Sequence, residues 1–278
     1  MQHDIVWMDT VTKLDLGYAG KVVVAGSHGG EFAAFCAARA QVRAAIFNDA
    51  GVGMDNEGIH ALRYFDELGV PAAATSHLSA RIGDGRDNFE SGIISHVNRA
   101  AAKLGCKAGQ RTQDCATVML TASAFGYEVP PKAESRLVRS DLGPLPVVII
   151  DSLALLAPED AGSIAVAGSH GAILPLDGRL LLNGDALGIV FCDAGFGKDG
   201  IAVTRIQKLD EANKPGAAAS VTSARIGNGT SVFESGILSF VNATAAAHGA
   251  RLGMTVRDYV ARLQATLPAK QHLASSDR

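Results

Sequence analysis

The residues of this chain able to do chemistry fall in three short motifs, and each motif occurs twice. Ala25-Gly-Ser-His-Gly29 returns as Ala167-Gly-Ser-His-Gly171. Phe47-Asn-Asp-Ala-Gly-Val-Gly53 returns as Phe191-Cys-Asp-Ala-Gly-Phe-Gly197. Ser79-Ala-Arg-Ile-Gly-Asp-Gly-Arg-Asp-Asn-Phe-Glu-Ser-Gly-Ile93 returns as Ser223-Ala-Arg-Ile-Gly-Asn-Gly-Thr-Ser-Val-Phe-Glu-Ser-Gly-Ile237, with eleven of fifteen positions identical. Spacings of 142 residues for the first motif and 144 for the others carry the repeat across nearly the whole chain.

Each motif offers a chemical reading beside a structural one. Gly26 and Gly29, placed where a strand would turn into a helix, let backbone approach a ligand closely, and the helix start would cradle an anion. Ser27, with Ser169 as the weaker counterpart, also fits a nucleophile elbow. The third reading is a purely structural turn. Asp49 and Asp193 follow a strand end, where a carboxylate could orient His28 or His170, hold a hydroxyl or bind a metal; equally, it could fix a glycine turn. Arg81 and Arg225 suit a bidentate grip on a carboxylate, or an internal ion pair with Glu90 and Glu234. Glu90 is read as structural or supporting, at the start of a helix, and Ser79 and Ser223 as loop or cap residues with a possible place in the site.

These motifs predict an enzyme acting on a small anionic metabolite. In the concrete form it is a hydrolase of a small amide, lactam or ester, with Ser27 as nucleophile, His28 or His77 as base, Asp49 orienting the base and backbone N–H groups forming the oxyanion hole. Adjacent Ser27 and His28 are poorly placed to bond each other, which favours His77. The alternatives are a lyase or isomerase with Arg81 as carboxylate clamp, and a non-catalytic nucleotide or metabolite-binding module. Neither a Walker A sequence nor a dinucleotide fingerprint is present, so no cofactor is expected. No spacing marks a metal site. Strand–Gly-Ser-His-Gly resembles the phosphate loop of universal stress proteins over about six residues per repeat. In that family, however, the loop comes late in the domain, whereas Asp9 and Asp151 precede it here by fewer than twenty residues, and the match is rejected.

The elements that must position these residues read as short buried strands alternating with helices. Strands are expected at 5–8, 21–25, 44–47 and 70–74, and again at 147–150, 163–167, 188–191 and 215–219. Helices are expected at 31–40, 58–68 and 91–104. This is an α/β fold: a tandem duplication of a unit near 140 residues with a mostly parallel sheet, the copies related by a pseudo-two-fold axis. Repeat one spans 1–140 and repeat two 141–278, with 127–146 as linker. Between the second and third strands repeat two carries 173–184, read as a loop or short hairpin. Repeat one alone holds Asn48, His77, Asp84, Arg86, Asp87 and His96, against Cys192, Val221, Asn228, Thr230, Ser231 and Phe240, and is the expected chemical half.

Composition narrows the class. Charged residues make up 19% of the chain, below the usual share of about 25%, which points to extensive burial and a homo-oligomer. A net charge of −3 with no basic run gives no reason to expect nucleic acid. No apolar run is long enough to span a membrane and no signal sequence is indicated, so a cytoplasmic protein with four reduced cysteines is expected.

Overall fold

The structure, a computed structural model, describes residues 4–123, 126–173 and 185–267. In the first half, β1 (Ile5–Met8), β2 (Val22–His28), β3 (Ala44–Asn48) and β4 (Ala72–Thr75) lie parallel in sequence order, and β5 (Ile94–Val97) adds antiparallel to β4. In the second half, β6 (Arg136–Arg139) pairs antiparallel with β7 (Val147–Ile150). Parallel strands β8 (Ile164–His170), β9 (Gly188–Cys192) and β10 (Gly216–Ala219) follow, and β11 (Leu238–Val241) closes the sheet antiparallel. Apart from β6 the two sheets have the same strand order. The fold is α/β with mostly parallel sheets, and the predicted strands lie where the apolar runs placed them.

Both faces of each sheet are covered, which is why the strands read as unbroken apolar runs. Alternate residues of β2 go to opposite sides. Val23 and Ala25 pack with α1 (Glu31–Arg39) and α2 (His60–Glu67), while Val22 and Val24 pack with Cys115, Ala116 and Met119 of α5 (Thr112–Met119). The segment 91–104 is not one helix. Ile94–Val97 forms β5, and beyond Ser91, the end of the preceding helix, only Arg99–Lys103 is helical (α4). A stretch with apolar residues three and four apart satisfies a helix pattern, but the open edge of β4 takes its backbone hydrogen bonds. The segment expected as a free linker is docked: the Tyr127 hydroxyl donates to the Val42 carbonyl at 3.0 Å, and Arg136–Arg139 has already joined the second sheet. The loop expected at 173–184 lies, beyond Ile173, outside the described residues.

The carboxyl ends of the two sheets meet. The Met54 N–H donates to the Val221 carbonyl at 2.8 Å, and its counterpart Lys198 N–H donates to the His77 carbonyl at 2.7 Å. Reciprocal bonds between equivalent residues are what a two-fold arrangement of the repeats requires. The turns that make this contact are backbone-strained. Ala50, Gly51, Val52 and Gly53 all have positive φ, as do Ala194, Gly195, Phe196 and Gly197. For Val52 and Phe196 this region costs roughly 1–2 kcal/mol each. Asp49 and Asp193 hold the turns in place. Each Oδ1 accepts the N–H two residues on, Gly51 at 3.1 Å and Gly195 at 3.0 Å, and one from the fourth-strand loop, His77 at 2.9 Å and Val221 at 2.8 Å.

A second fixed point lies under β1 and β7. Asp9 and Asp151 each accept an N–H at 3.0 Å, from Gly85 at the start of α3 (Gly85–Ser91) and Gly229 at the start of α7 (Gly229–Ser235). A Cβ on Gly85 would stand 2.1 Å from the Met8 carbonyl oxygen, and one on Gly229 2.3 Å from that of Ile150. Gly85→Ala or Gly229→Ala should therefore cost about 3 kcal/mol, read as a lower urea midpoint. A midpoint unchanged from wild type would mean that the helix start is not pressed on the strand.

Candidate functional site

Because the sheets meet at their carboxyl ends, the two Gly-Ser-His motifs open into one cleft. Its volume is about 500 Å³, and both repeats line it. Repeat one supplies Thr10, Ser27, His28, Glu31 and Glu57. Repeat two supplies Asp151, Ser169, His170, Arg225 and Asn228, and the connecting segment supplies Lys132 and Glu134.

The histidines are held alike. β2 and β8 run on through Ser-His instead of turning at the glycine, so each ring sits at a strand's end. His28 Nδ1 accepts the Gly30 N–H at 3.1 Å, and His170 Nδ1 accepts the Ala172 N–H at 3.2 Å. A Cβ on Gly30 would lie 2.6 Å from the His28 ring, whereas Ala172 carries one at the equivalent place beside His170. Burial lowers the His28 pKa to about 4, with Glu57 pulling the other way, and lowers that of His170 to about 3, with His28 and Arg205 adding to the fall. Both rings are neutral at pH 7, and an Nδ1 that accepts leaves the proton on Nε2. No described residue accepts from either Nε2. The cleft thus holds two neutral imidazole N–H donors, one from each repeat.

The acid–base candidate is Glu134. Burial, and then the charge of Asp151, raise its pKa to about 7. Asp151 is itself tied to the Ser135 N–H at 2.6 Å and the Gly229 N–H at 3.0 Å. Glu57 differs: burial opposes its charge, but hydrogen bonds from His60 and the Glu31 N–H hold it below the usual carboxylate range. His60, 3.5 Å from Glu57, is raised mainly by that contact.

Several predicted partners do not come together. Ser27 Oγ accepts the Val11 N–H at 3.1 Å and Ser169 Oγ the Leu153 N–H at 2.9 Å; neither serine is bonded to a histidine. His77 does pair with Asp49, Nδ1 to Oδ1 at 2.7 Å, but the ring packs on Gly195 and stands outside the cleft. Burial opposes the charge of Asp49, yet hydrogen bonds from the His77 ring and backbone keep its pKa low. Three of the N–H groups meant for an anion at the start of α1 are already taken, Gly29 by the Asn48 and Gly58 carbonyls, Gly30 by His28 and Glu31 by Glu57, while those of Phe32 and Ala33 face no acceptor among the described residues. Gly26 serves packing, since a Cβ there would lie 2.5 Å from the Asp84 nitrogen.

Arg81 and Arg225 form ion pairs, but not with Glu90 and Glu234. Arg81 reaches Asp199 at 2.5 Å and Asp87 at 3.4 Å, and Arg225 reaches Asp55 at 2.5 Å, so both bridge the repeats. Glu90 sits in the last turn of α3, paired at 2.8 Å with Arg86. Ser79 donates to the Ser76 carbonyl and accepts the Ile93 N–H, and Ser223 does the same with Ser220 and Ile237, as loop clasps. Cys192 is fully buried, and burial pushes its thiol up to about 12, which suits a packed side chain and not a nucleophile.

Sequence reasoning missed Glu57, His60 and Glu134. Glu57 and His60 were within reach, because Ile201 and Thr204 occupy the equivalent places in repeat two. Glu134 has no counterpart signal. Among the described residues no three His, Cys, Asp or Glu side chains converge to hold a metal ion, and no helix is long and apolar enough to cross a membrane. No family model, curated protein or solved structure matches the chain.

Two outcomes follow from this geometry. Between pH 6.5 and 4 the unfolded chain binds protons that the folded imidazoles refuse, so stability falls as pH drops through that window. Urea titrations at pH 7 and 4.5 should find wild type losing more stability than the His28→Asn/His170→Asn double variant. Equal losses would place the rings in solvent. Arg81→Ala should cost under about 1 kcal/mol, since its partner Asp199 is largely exposed. A loss of several kcal/mol would make the pair essential to the interface.

Proposed function

We propose that the chain is an enzyme carrying out proton-transfer chemistry at the carbonyl group of a small metabolite bound between the repeats. The observation that carries this reading is that His28 and His170, each with Nδ1 already accepting a backbone N–H, line the same cleft as Glu134. A neutral imidazole of fixed tautomer is a hydrogen-bond donor to a carbonyl oxygen, and two of them make an oxyanion site without backbone N–H groups. A carboxyl group with a pKa near 7 exchanges a proton readily at neutral pH.

The reaction this arrangement favours is hydrolysis of an amide, lactam or ester by direct attack of water. Glu134 takes the proton from water as it adds to the carbonyl carbon, the imidazoles hold the developing oxyanion, and the protonated Glu134 returns the proton to the leaving nitrogen or oxygen. Ser27 is not needed as a nucleophile, because its Oγ clasps Val11 and no base adjoins it. The second reading is an isomerase or lyase, in which Glu134 removes a proton from carbon beside the same polarised carbonyl. The fixed Nε2–H tautomer favours it equally, since such donors also stabilise enolates. All four cysteines are buried and unpaired, which supports a reducing compartment and so the cytoplasm. A homo-oligomer is supported by the open edge of β1, where Trp7 is 49% exposed.

On a panel of small amides, lactams and esters, activity should rise with pH as one group near pKa 7 ionises. Glu134→Gln should lower turnover about 10²–10⁴-fold and remove that dependence. His28→Asn or His170→Asn should each lower it about 10²–10³-fold. Ser27→Ala should remain active and the wild type should give no fluorophosphonate adduct. An adduct at Ser27 would restore the acyl-enzyme route and sink this one. Oxygen-18 from water entering the product marks hydrolysis, and deuterium from heavy water entering a carbon position marks enolisation.

A further inference from the structure

The cleft presents its polar groups unevenly, and this bears on the charge of what it binds. Among the described residues its two cations are occupied: Lys132 by Glu31, and Arg225 by Asp55 through Nε at 2.7 Å and Nη2 at 2.5 Å. The Gly29, Gly30 and Glu31 N–H groups at the start of α1 are occupied as well. The donors left over carry no charge: the two Nε2–H groups of His28 and His170 and the backbone N–H groups of Phe32 and Ala33. The acceptors are carboxylates: Glu134, with no cation paired to it among the described residues, Asp151, whose charge acts on it, and Glu57 elsewhere in the lining.

Each simple ligand charge fails against this lining. A phosphate or carboxylate would lose its hydration beside several carboxylates and gain no free cation in return. A bare ammonium could sit among the carboxylates, but it has no lone pair for the imidazole N–H groups, which would stay unsatisfied. An uncharged amide group meets both demands, because its C=O accepts and its N–H donates.

On the reading of the cleft as the active site, we infer that it takes an uncharged amide-type compound, such as a lactam, cyclic imide or ureide, with C=O toward His28 and His170 and N–H toward the carboxylates. This departs from the small anionic metabolite that the paired arginines first suggested. Those arginines are spent on joining the repeats.

The test is NMR of the full chain with ¹⁵N-labelled histidine at pH 7, the His28 and His170 ring signals being assigned with the two Asn variants. Succinimide and 2-pyrrolidinone are the uncharged probes, succinate and inorganic phosphate the anions, and methylammonium the cation. Succinimide or 2-pyrrolidinone should shift both Nε2 signals and bind about tenfold or more tighter than succinate. Succinate, phosphate or methylammonium moving the same signals at lower concentration would overturn the assignment of ligand class while leaving the cleft as the site. If no probe moves either ring, the cleft reading fails together with the ligand class.

Discussion

The structure depends on two carboxylates that are not in the cleft. Asp49 and Asp193 each clasp a run of four positive-φ residues and tie it to the loop after the fourth strand of the same sheet. Without those bonds, valine and phenylalanine would not stay in left-handed backbone, a conformation held only where the surroundings over-determine it. The turns in turn give each repeat a surface that fits the other, with Gly51 against Gly195 and Gly53 against Val221. The cleft is what remains between the sheet ends once the turns have docked.

On this shared frame the repeats differ in linked pairs. Asn48 and Asn88 hydrogen-bond at 3.1 Å in one, where Cys192 and Val232 stand in the other. The pair also bonds backbone, Asn48 at Ala50 and Ala80 and Asn88 at Arg81 and Asp84, and changing one member alone would strand a buried partner. Glu57 and His60 against Ile201 and Thr204 is a second linked change, and it sets a carboxylate and its histidine partner beside only one of the two cleft imidazoles.

Most of the fold was legible because the chain states it twice and because strands covered on both faces must be continuously apolar. Segment 91–104 was misread because β5 is short and half exposed, so its sequence carries no run to mark it; the edge it pairs with decides its conformation. In the cleft, Ser27, His28, Ser169, His170 and Arg225 were named from the repeat, but their roles were not. Sequence cannot say whether a serine oxygen or an arginine is already engaged, and here Ser27 clasps Val11 while Arg225 binds Asp55. Glu134 was illegible for a different reason. Its acidity comes from burial beside Asp151, a residue brought near only when the connecting segment crosses from one sheet to the other.

That crossing leaves the molecule with a handedness that its repeats lack. Lys132 is anchored on the first half through Glu31, Ser135 on the second through Asp151, and the residues between them form a wall of the cleft. A two-fold assembly of separate units would present the same surroundings to both imidazoles. One covalent connection passes on one side only, so joining the halves converts two equivalent half-sites into a single asymmetric one. The tether that merely keeps the halves together also supplies Glu134, a group of which the duplication holds no second copy.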